Sequence, residues 1–227
     1  MGIQTTALPE DPSGQRGGAA PGEPSPVGAG KNQSVRDRRR QETFSKLFGA
    51  AIVEFRRVGV EKAQIDHICE AAGVARGTFY FHFPTKDRVL LERQRQLSAA
   101  IAERLERELP LTRSVKGFLM RVANASIDEH EALGDMELVR EINSAIVRKG
   151  GGPELKISAT PFGHTFVRHM TKLQEAGLVR DDIAAHELAD CFRLSLLGFL
   201  VDPQDSFAKA RRKVKLAVEL YAEAISA

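Results

Sequence analysis

Apolar residues recur with a helical period along most of this 227-residue chain. Over residues 34–58 they stand three and four positions apart, which marks one face of an amphipathic helix. The positions that carry this stripe are Phe44, Leu47, Phe48, Ala51, Ile52 and Phe55. Gly59 follows and is expected to end the helix. The pattern predicts a first helix over 34–58 with one buried face.

The next stretch, residues 64–86, predicts two short helices joined by a tight turn. Ile65 and Ile68 lie three positions apart on one helical face, and Gly73 can adopt the positive φ that a turn requires. Residues 75–83 are rich in aromatic side chains but also contain arginine, threonine and histidine, and Pro84 ends them. This is the layout of a helix-turn-helix, whose second helix lies in the major groove of DNA.

The remainder of the chain also predicts helices only. No Gly or Pro interrupts the stretch from Thr85 to Pro110, so a long helix is expected there, with Thr85 as its cap. Further helices are expected over about 114–129, 135–148, 161–176, 182–201 and 206–225. The helix over 182–201 is apolar nearly all round, which is typical of a buried helix. The fold class is therefore all-α, with a tail at 1–33, a helix-turn-helix domain at 34–84 and a larger helical domain at 85–227.

Charge is distributed unevenly along the chain. Residues 31–95 hold 14 Lys and Arg against 8 Asp and Glu, a net of +6, whereas the whole chain carries +3. The basic excess coincides with the helix-turn-helix, as a protein that binds phosphates requires. Residues 1–33 hold five of the ten prolines and seven of the nineteen glycines, so we expect them to be disordered. The arginines that follow, among them Arg40, form either an arm that reaches DNA or a solvated helix start.

Composition excludes several other classes of protein. No run of about 18 apolar residues exists, so a membrane-spanning helix is not expected. The N-terminus lacks the basic and apolar regions of a secretory signal, and the two cysteines are expected to be reduced thiols, so we expect a cytoplasmic protein. His164 and His169 are five apart, which does not suit two metal ligands on one helix face. No catalytic constellation stands out, so we expect neither an enzyme, nor a metal site, nor a cofactor.

The helix-turn-helix stretch also resembles a known family. The residues Ile68-x-x-Ala71-Ala72-Gly73-Val74 and Gly77-Thr78-Phe79-Tyr80-x-His82-Phe83-x-Thr85-Lys86 resemble the DNA-binding signature of tetracycline-repressor-type (TetR/AcrR) regulators. Two positions depart from that signature. Ala63 and Ala75 stand where the family usually has the Thr or Ser that cap the two helices, and Gln64 is a candidate substitute for the first cap.

The resemblance implies an N-terminal three-helix DNA-binding domain and a C-terminal domain for ligand binding and dimerisation. We expect Arg76 and Thr78 to face the bases because they lie at the start of the second helix. The resemblance places Tyr80, His82 and Lys86 on phosphates. The full set of candidate DNA contacts is Arg40, Gln64, Arg76, Gly77, Thr78, Tyr80, His82 and Lys86.

Two further sets of residues are candidates in the C-terminal domain. Effector contacts are expected at Phe118, Arg121, Phe166, His169 and Met170, although a histidine such as His169 is also a common core residue. In the resembling family the last two helices form the dimer interface, and the apolar candidates here are Phe192, Leu196, Phe199 and Tyr221. These four could instead belong to the core of a monomer.

The sequence favours a homodimeric repressor that leaves a palindromic double-stranded DNA operator when a small-molecule effector binds. Whether the effector releases or recruits DNA is left open by the residues, and the resemblance favours release. The main alternative is an architectural protein that coats DNA without a ligand. More than 100 residues of separate helical domain exceed what bending DNA requires, which favours the regulator.

Overall fold

The computed structural model describes residues 29–108, 114–148, 159–202 and 206–227, and within these ranges the chain is all-α, as predicted. Its helices are α1 (Ala29–Lys62), α2 (Ile65–Ala72), α3 (Arg76–His82), α4 (Lys86–Glu108), α5 (Val115–Glu131), α6 (Met136–Arg148), α7 (Pro161–Glu175), α8 (Ala185–Val201) and α9 (Phe207–Ile225). None of these helices combines the length and the apolar character that crossing a bilayer requires.

Helix α1 differs from the prediction at both ends. It begins at Ala29, five residues before the expected start, because no Gly or Pro lies between residues 31 and 48 to interrupt it. Gly59 breaks the helical path with φ 79° and ψ 158°, but the chain then continues in helical form to Lys62. The expected disordered tail lies outside the described residues, except for residues 29–33, which are helical.

Short polar side chains fix the starts of four later helices. Ser114, Thr160 and Ser206 each accept a hydrogen bond from the backbone N–H three residues further on, at 3.1, 3.0 and 3.3 Å. Asp135 Oδ1 accepts from the N–H groups of Glu137 and Leu138 at 3.0 and 3.1 Å, before α6. These bonds satisfy N–H groups that have no partner within the helix. The predicted starts at 114, 135, 161 and 206 therefore agree with the structure within one residue.

Two clusters of buried apolar side chains form the core of residues 42–227. The first, here the N-terminal cluster, contains side chains of α1 to α4 together with α6 and Leu200. The second, here the C-terminal cluster, contains side chains of α4, α5, α7, α8 and α9. Helix α4 belongs to both, with Leu90 in the first and Leu105 in the second, each fully buried. Because α6 packs into the N-terminal cluster, this core extends beyond residue 84, where the sequence suggested a domain boundary.

A buried carboxylate on α1 holds the start of α2. Glu54 is only 7% exposed and accepts two hydrogen bonds from Arg57, at 2.8 and 2.9 Å. The Glu54 carboxylate also lies 3.3 Å from His67 Nδ1 and 3.5 Å from the backbone N of Gln64. The hydrogen bonds from Arg57 outweigh the effect of burial and, with those from His67 and Gln64, lower the pKa of Glu54 to about 2. Gln64, the N-cap of α2, forms no side-chain cap, and Glu54 instead contacts its backbone N and the ring of His67 in the first turn of α2.

We expect Glu54→Gln to lower the free energy of unfolding by about 1–2 kcal/mol at pH 7, because a charge-assisted network is lost. The pKa of this carboxyl is depressed in the folded state, so its stabilisation is present above the ordinary value of 4.5 and is lost as the pH falls towards 2. Urea unfolding of both proteins at pH 7 and pH 3.5 measures the difference, which should shrink at the lower pH.

The matched control for Glu54→Gln is Glu103→Gln, since Glu103 has an exposed side chain paired with Arg107 on the surface of α4. Its effect should stay within about 0.5 kcal/mol at both pH values. An equal loss for Glu54→Gln at pH 7 and pH 3.5 would show that the carboxylate charge contributes nothing.

Candidate functional site

The recognition unit consists of α2, a turn at Gly73, and α3. Gly73 adopts φ 67° and ψ 38°, the left-handed conformation that favours glycine, and its N–H and that of Val74 bond to carbonyls at the end of α2. The seven-residue α3 is anchored by Phe79 and Phe83, which are 0% and 2% exposed. Their rings lie 5.8 Å apart, and that of Phe83 lies 4.9 Å from Phe44 on α1. This packing turns the opposite face of α3 outwards.

The outward face of the recognition unit carries most of the predicted DNA contacts. Arg76, Gly77 and Tyr80 are exposed and Thr78 is partly exposed. Phe81, which is not among the predicted DNA contacts, is 66% exposed. An exposed aromatic ring on a seven-residue helix is unusual because aromatic side chains are normally buried in the core. The helical period of the sequence could have identified Phe81, since it lies two residues from both buried phenylalanines.

Arg76 is paired in this structure. Its Nη1 lies 2.7 Å from both carboxylate oxygens of Asp66 on α2, and its Nη2 donates to the Tyr80 hydroxyl at 3.4 Å. The guanidinium carbon lies 5.8 Å from the centre of the Tyr80 ring, a cation–π arrangement. The hydrogen bond to Tyr80 and the pairing with Asp66 raise the pKa of Arg76, so it stays charged. Exposed ion pairs of this kind contribute little, so Asp66 positions Arg76 without preventing it from reaching another acceptor.

Lys86 and His82 occupy different surroundings. Lys86 Nζ donates to the carbonyls of Val60 and Glu61 at 2.9 and 2.8 Å, and so caps the last turn of α1. An ammonium group has three N–H donors, so one remains for a phosphate. The partly exposed ring of His82 meets those of Phe44 and Phe81 edge-on, at 5.8 and 5.1 Å. Phosphate contact by either residue stays a prediction.

The remaining DNA candidates are Gln64 and Arg40. Gln64 is exposed at the N-terminus of α2. Arg40 is exposed on the N-terminal part of α1, where every residue from 34 to 42 is exposed. A continuous exposed run on a helix means that this part of α1 has no buried face.

A cavity of about 70 Å³ lies between helices α4 to α8. Its wall is formed by Gln94, Ser98, Ile101, Ser126, His130, Asn143, Ile146, Thr160, Phe162, Arg193, Leu196, Leu197 and Leu200. Arg193, its cationic side chain, donates to Asp190 Oδ1 from Nε and Nη2 at 2.9 and 2.6 Å. This ion pair neutralises the guanidinium, so the cavity has the mixed apolar and polar wall typical of a site for a neutral molecule.

None of the five predicted effector contacts lines this cavity. Phe118, Phe166 and Met170 are buried in the C-terminal cluster, and the rings of the first two lie 5.4 Å apart. His169 is partly exposed, and burial together with nearby cationic side chains lowers its pKa. Arg121 lies 3.8 Å from a Glu108 oxygen. The sequence missed the cavity because its wall combines residues from five helices that are distant in the chain.

The predicted dimer residues are only partly at the surface. Phe192 is 0% and Leu196 4% exposed, so neither can contact a second copy in this conformation. Tyr221 is partly buried and donates a 2.6 Å hydrogen bond to the Leu188 carbonyl, and Phe199 is also partly buried. The large exposed apolar side chains of α8 and α9 are instead Leu194, Leu216 and Leu220, at 50, 58 and 60%. The sequence had suggested that the helix over 182–201 is buried all round, but α8 exposes Leu194.

The chemistry of the described residues offers no metal site. Within the described ranges, no three His, Cys, Asp or Glu side chains gather as metal ligands would. Cys69 is buried in the N-terminal cluster, and burial raises the pKa of its thiol, which keeps it protonated and unreactive.

Comparison with known proteins gives a sequence match and many structural ones. Residues 47–92 match the family described as "Bacterial regulatory proteins, tetR family". No curated protein sequence matches the chain. Among solved structures, a putative TetR-family transcriptional regulator from Mesorhizobium loti is 18% identical with a TM-score of 0.59, covering 83% of this chain and 99% of its own.

Two other structural neighbours have names that mention a ligand or a target. FadR of Thermus thermophilus, a TetR-family transcriptional repressor in complex with lauroyl-CoA, is 21% identical with a TM-score of 0.63, and the match covers 78% of this chain and 93% of that one. SmeT, the repressor of the Stenotrophomonas maltophilia multidrug efflux pump SmeDEF, is 20% identical with a TM-score of 0.55, covering 82% and 93%. At these identities the likeness concerns the fold.

The matched segment spans the second half of α1, both helices of the recognition unit and the start of α4, so it includes the outward face of the recognition unit. The chain is therefore similar to the tetR family of bacterial regulatory proteins in sequence over residues 47–92, and it shares the fold of the solved regulators over most of their length.

Proposed function

We propose that this protein is a sequence-specific transcriptional repressor that binds a palindromic operator as a homodimer and is released by a small-molecule effector. As a regulator of DNA it would act in the cytoplasm. The observation that carries the proposal is the recognition unit: α3 is anchored by Phe79 and Phe83, while Arg76, Thr78 and Tyr80 remain available on its outer face.

The exposed face suits both kinds of DNA contact. Arginine can form two hydrogen bonds with the O6 and N7 atoms of guanine, and Arg76 lies in the first turn of α3, where recognition helices meet base edges. The hydroxyl of Tyr80, the ring of His82 and the third N–H of Lys86 suit phosphate oxygens. The exposed arginines on α1, Arg40 among them, add positive charge that phosphates attract.

Helix α4 supports a route from the cavity to the recognition unit. It begins at Lys86, whose ammonium group binds two carbonyls at the end of α1, and its middle residues Gln94, Ser98 and Ile101 line the cavity. A molecule that displaces the middle of a continuous helix also displaces its first turn. The resulting change in geometry would alter the free energy of operator binding by about 1–3 kcal/mol, which is a 5- to 150-fold change in affinity.

The structural neighbours support ligand control. FadR of Thermus thermophilus was solved with lauroyl-CoA, and SmeT was solved with triclosan. Neither molecule is assigned to this chain, because its effector must be inferred from the residues that line its own cavity. We place the effector in this cavity rather than against Phe118, Phe166 and Met170, since those side chains are packed into the core.

The outer faces of α8 and α9 support the homodimer. Cys191, Leu194 and Gly198 are exposed at spacings of three and four, and a side chain built at Gly198 would meet nothing within 4 Å. Leu216 and Leu220 stand four apart on α9. A small residue between larger apolar ones allows a second helix to approach closely, and a large exposed apolar patch is a common mark of an interface.

Selection of duplexes from a random-sequence DNA pool tests the proposal against an architectural protein. We expect enrichment of an inverted repeat whose half-sites are about one helical turn, or roughly 34 Å, apart. Binding that depends on salt and not on sequence, with no enriched site, would favour the architectural alternative.

Base readout by Arg76 is the second expectation. With the selected operator, Arg76→Ala should reduce discrimination at one base pair of each half-site by roughly 5- to 150-fold, because the paired hydrogen bonds to guanine are lost. Binding to every single-base operator variant, measured by fluorescence anisotropy, gives the result. Arg107→Ala is the control for the lost charge, since Arg107 is exposed near the far end of α4. An unchanged base preference at all positions would exclude Arg76 as a base contact.

Dimerisation through α8 and α9 is the third expectation. Leu216→Glu should raise the dimer dissociation constant by roughly 100-fold or more, because it places an unpaired charge in an apolar interface. The monomer should stay folded, since Leu216 is 58% exposed there. Sedimentation of wild type and variant across micromolar concentrations measures this. Val147→Glu, on the surface of α6 at 61% exposure, is the matched control and should leave the dimer intact.

A further inference from the structure

His130 presents an unsatisfied hydrogen-bond acceptor to the cavity. Its side chain is 3% exposed, and its Nδ1 lies 2.6 Å from the Ser126 carbonyl oxygen. A carbonyl oxygen can only accept, so Nδ1 carries the proton, and Nε2 of the neutral ring is left as an acceptor. Nε2 has no hydrogen-bond partner among the described residues.

The surroundings of His130 keep its ring neutral. Burial is the largest influence and lowers the pKa of His130, and the positive charge of Arg93 lowers it further, against the opposing effect of the bond to Ser126. The lone pair on Nε2 is therefore available at neutral pH.

Gln94 on α4 presents a second acceptor to the same cavity. Its Oε1 is buried and has no partner within the described part of the chain. Buried polar atoms are nearly always hydrogen-bonded, because an unsatisfied one has lost its hydrogen bonds to water without gaining others. Two such atoms on residues that line one small cavity indicate that an occupant donates to at least one of them.

The other polar groups of the wall already have partners of their own. Asn143 Nδ2 donates to the Val139 carbonyl at 2.8 Å, and Ser98 Oγ accepts from the backbone N of Phe162 at 3.1 Å. Arg193 is paired with Asp190. Thr160 Oγ1 accepts from the backbone N of Gly163 at 3.0 Å, and Ser126 also contributes to the wall. Among the described residues no carboxylate lines the cavity, and the remaining wall residues are apolar: Ile101, Ile146, Phe162, Leu196, Leu197 and Leu200. An occupant is therefore neutral and mainly apolar.

We propose that this cavity binds a small neutral molecule with an apolar body and a hydroxyl group, which donates its hydrogen bond to His130 Nε2 beside Gln94 Oε1. The inference rests on the proposed function, since it gives the chemical class of the effector, but it concerns binding to the protein without DNA. A bound hydroxyl satisfies the buried acceptor on α5, and the molecule that carries it contacts α4, the helix that begins at the recognition unit.

Three probes with one aromatic ring test the proposal with the full-length protein and no DNA. Phenol donates a hydrogen bond, anisole only accepts, and toluene does neither. By titration calorimetry we expect phenol to bind about five- to tenfold more tightly than anisole or toluene, the gain typical of one hydrogen bond. His130→Phe should abolish this preference, whereas the same substitution at the exposed His164 on α7, outside the cavity wall, should keep it.

A measurement on the wild-type protein covers the case in which His130→Phe does not fold. Phenol should move the nitrogen-15 resonance of His130 Nε2 upfield, as accepting a hydrogen bond does, and toluene should leave it in place. Equal affinity for the three probes, or an Nε2 resonance that phenol does not move, would overturn the proposal and indicate that water serves the two acceptors.

The failures of the two proposals are distinguishable. A protein that selects a palindromic operator but treats the three probes alike keeps the proposed function and loses this inference. A protein that prefers phenol through His130 but enriches no DNA sequence keeps the inference and loses the proposed function.

Discussion

Burial of Phe79 and Phe83 is the constraint on which the outward face of the recognition unit depends. A helix of seven residues is too short to form alone in water, because its nucleation fixes several dihedral angles for few hydrogen bonds. The ring of Phe83 packs near Phe44 and Phe48, and the ring of Phe79 packs near Phe83. This apolar burial compensates for the shortness of α3. The two rings also fix its rotation, since Phe79 on α3 and Phe83 at its C-cap can both be buried in only one orientation of the helix. The outward position of Arg76 and Tyr80 follows from this packing.

Polar contacts hold the start of α2 and the end of α1. Neither Gln64 nor Ala75 forms a side-chain cap. Glu54 supplies a carboxylate near the start of α2, where a helix favours negative charge, and Lys86 supplies an ammonium group to the carbonyls at the end of α1. Both side chains belong to neighbouring helices, so α2 and the end of α1 are held by tertiary contacts more than by local sequence.

Continuity of α4 connects the two ends of the protein. Its 23 residues, roughly 35 Å long, contribute to both apolar clusters and to the wall of the cavity. A helix packed at both ends transmits displacement because close-packed side chains leave little room to absorb it. The buried acceptors of His130 and Gln94 lie beside this helix, so a ligand that satisfies them acts on the element that joins the cavity to the recognition unit.

The sequence by itself determined where the helices lie and which segment forms the helix-turn-helix. Helical period, caps such as Ser114 and Thr160, and the turn at Gly73 are local signals, and each concerns residues a few positions apart. The expected outward face of α3 also follows from such local signals. Phe81 could have been identified in the same way.

Only the tertiary structure decided which apolar residues of α8 face the core and which face outwards. A helix that is apolar nearly all round has no period to reveal its orientation, so Phe192 and Leu196 could not be separated from Leu194 by sequence. The sequence also could not predict that Asp66 pairs with Arg76, or that His130 and Gln94 line the same cavity. These contacts join residues on different helices, and the angle and distance at which helices pack depend on all of their side chains together.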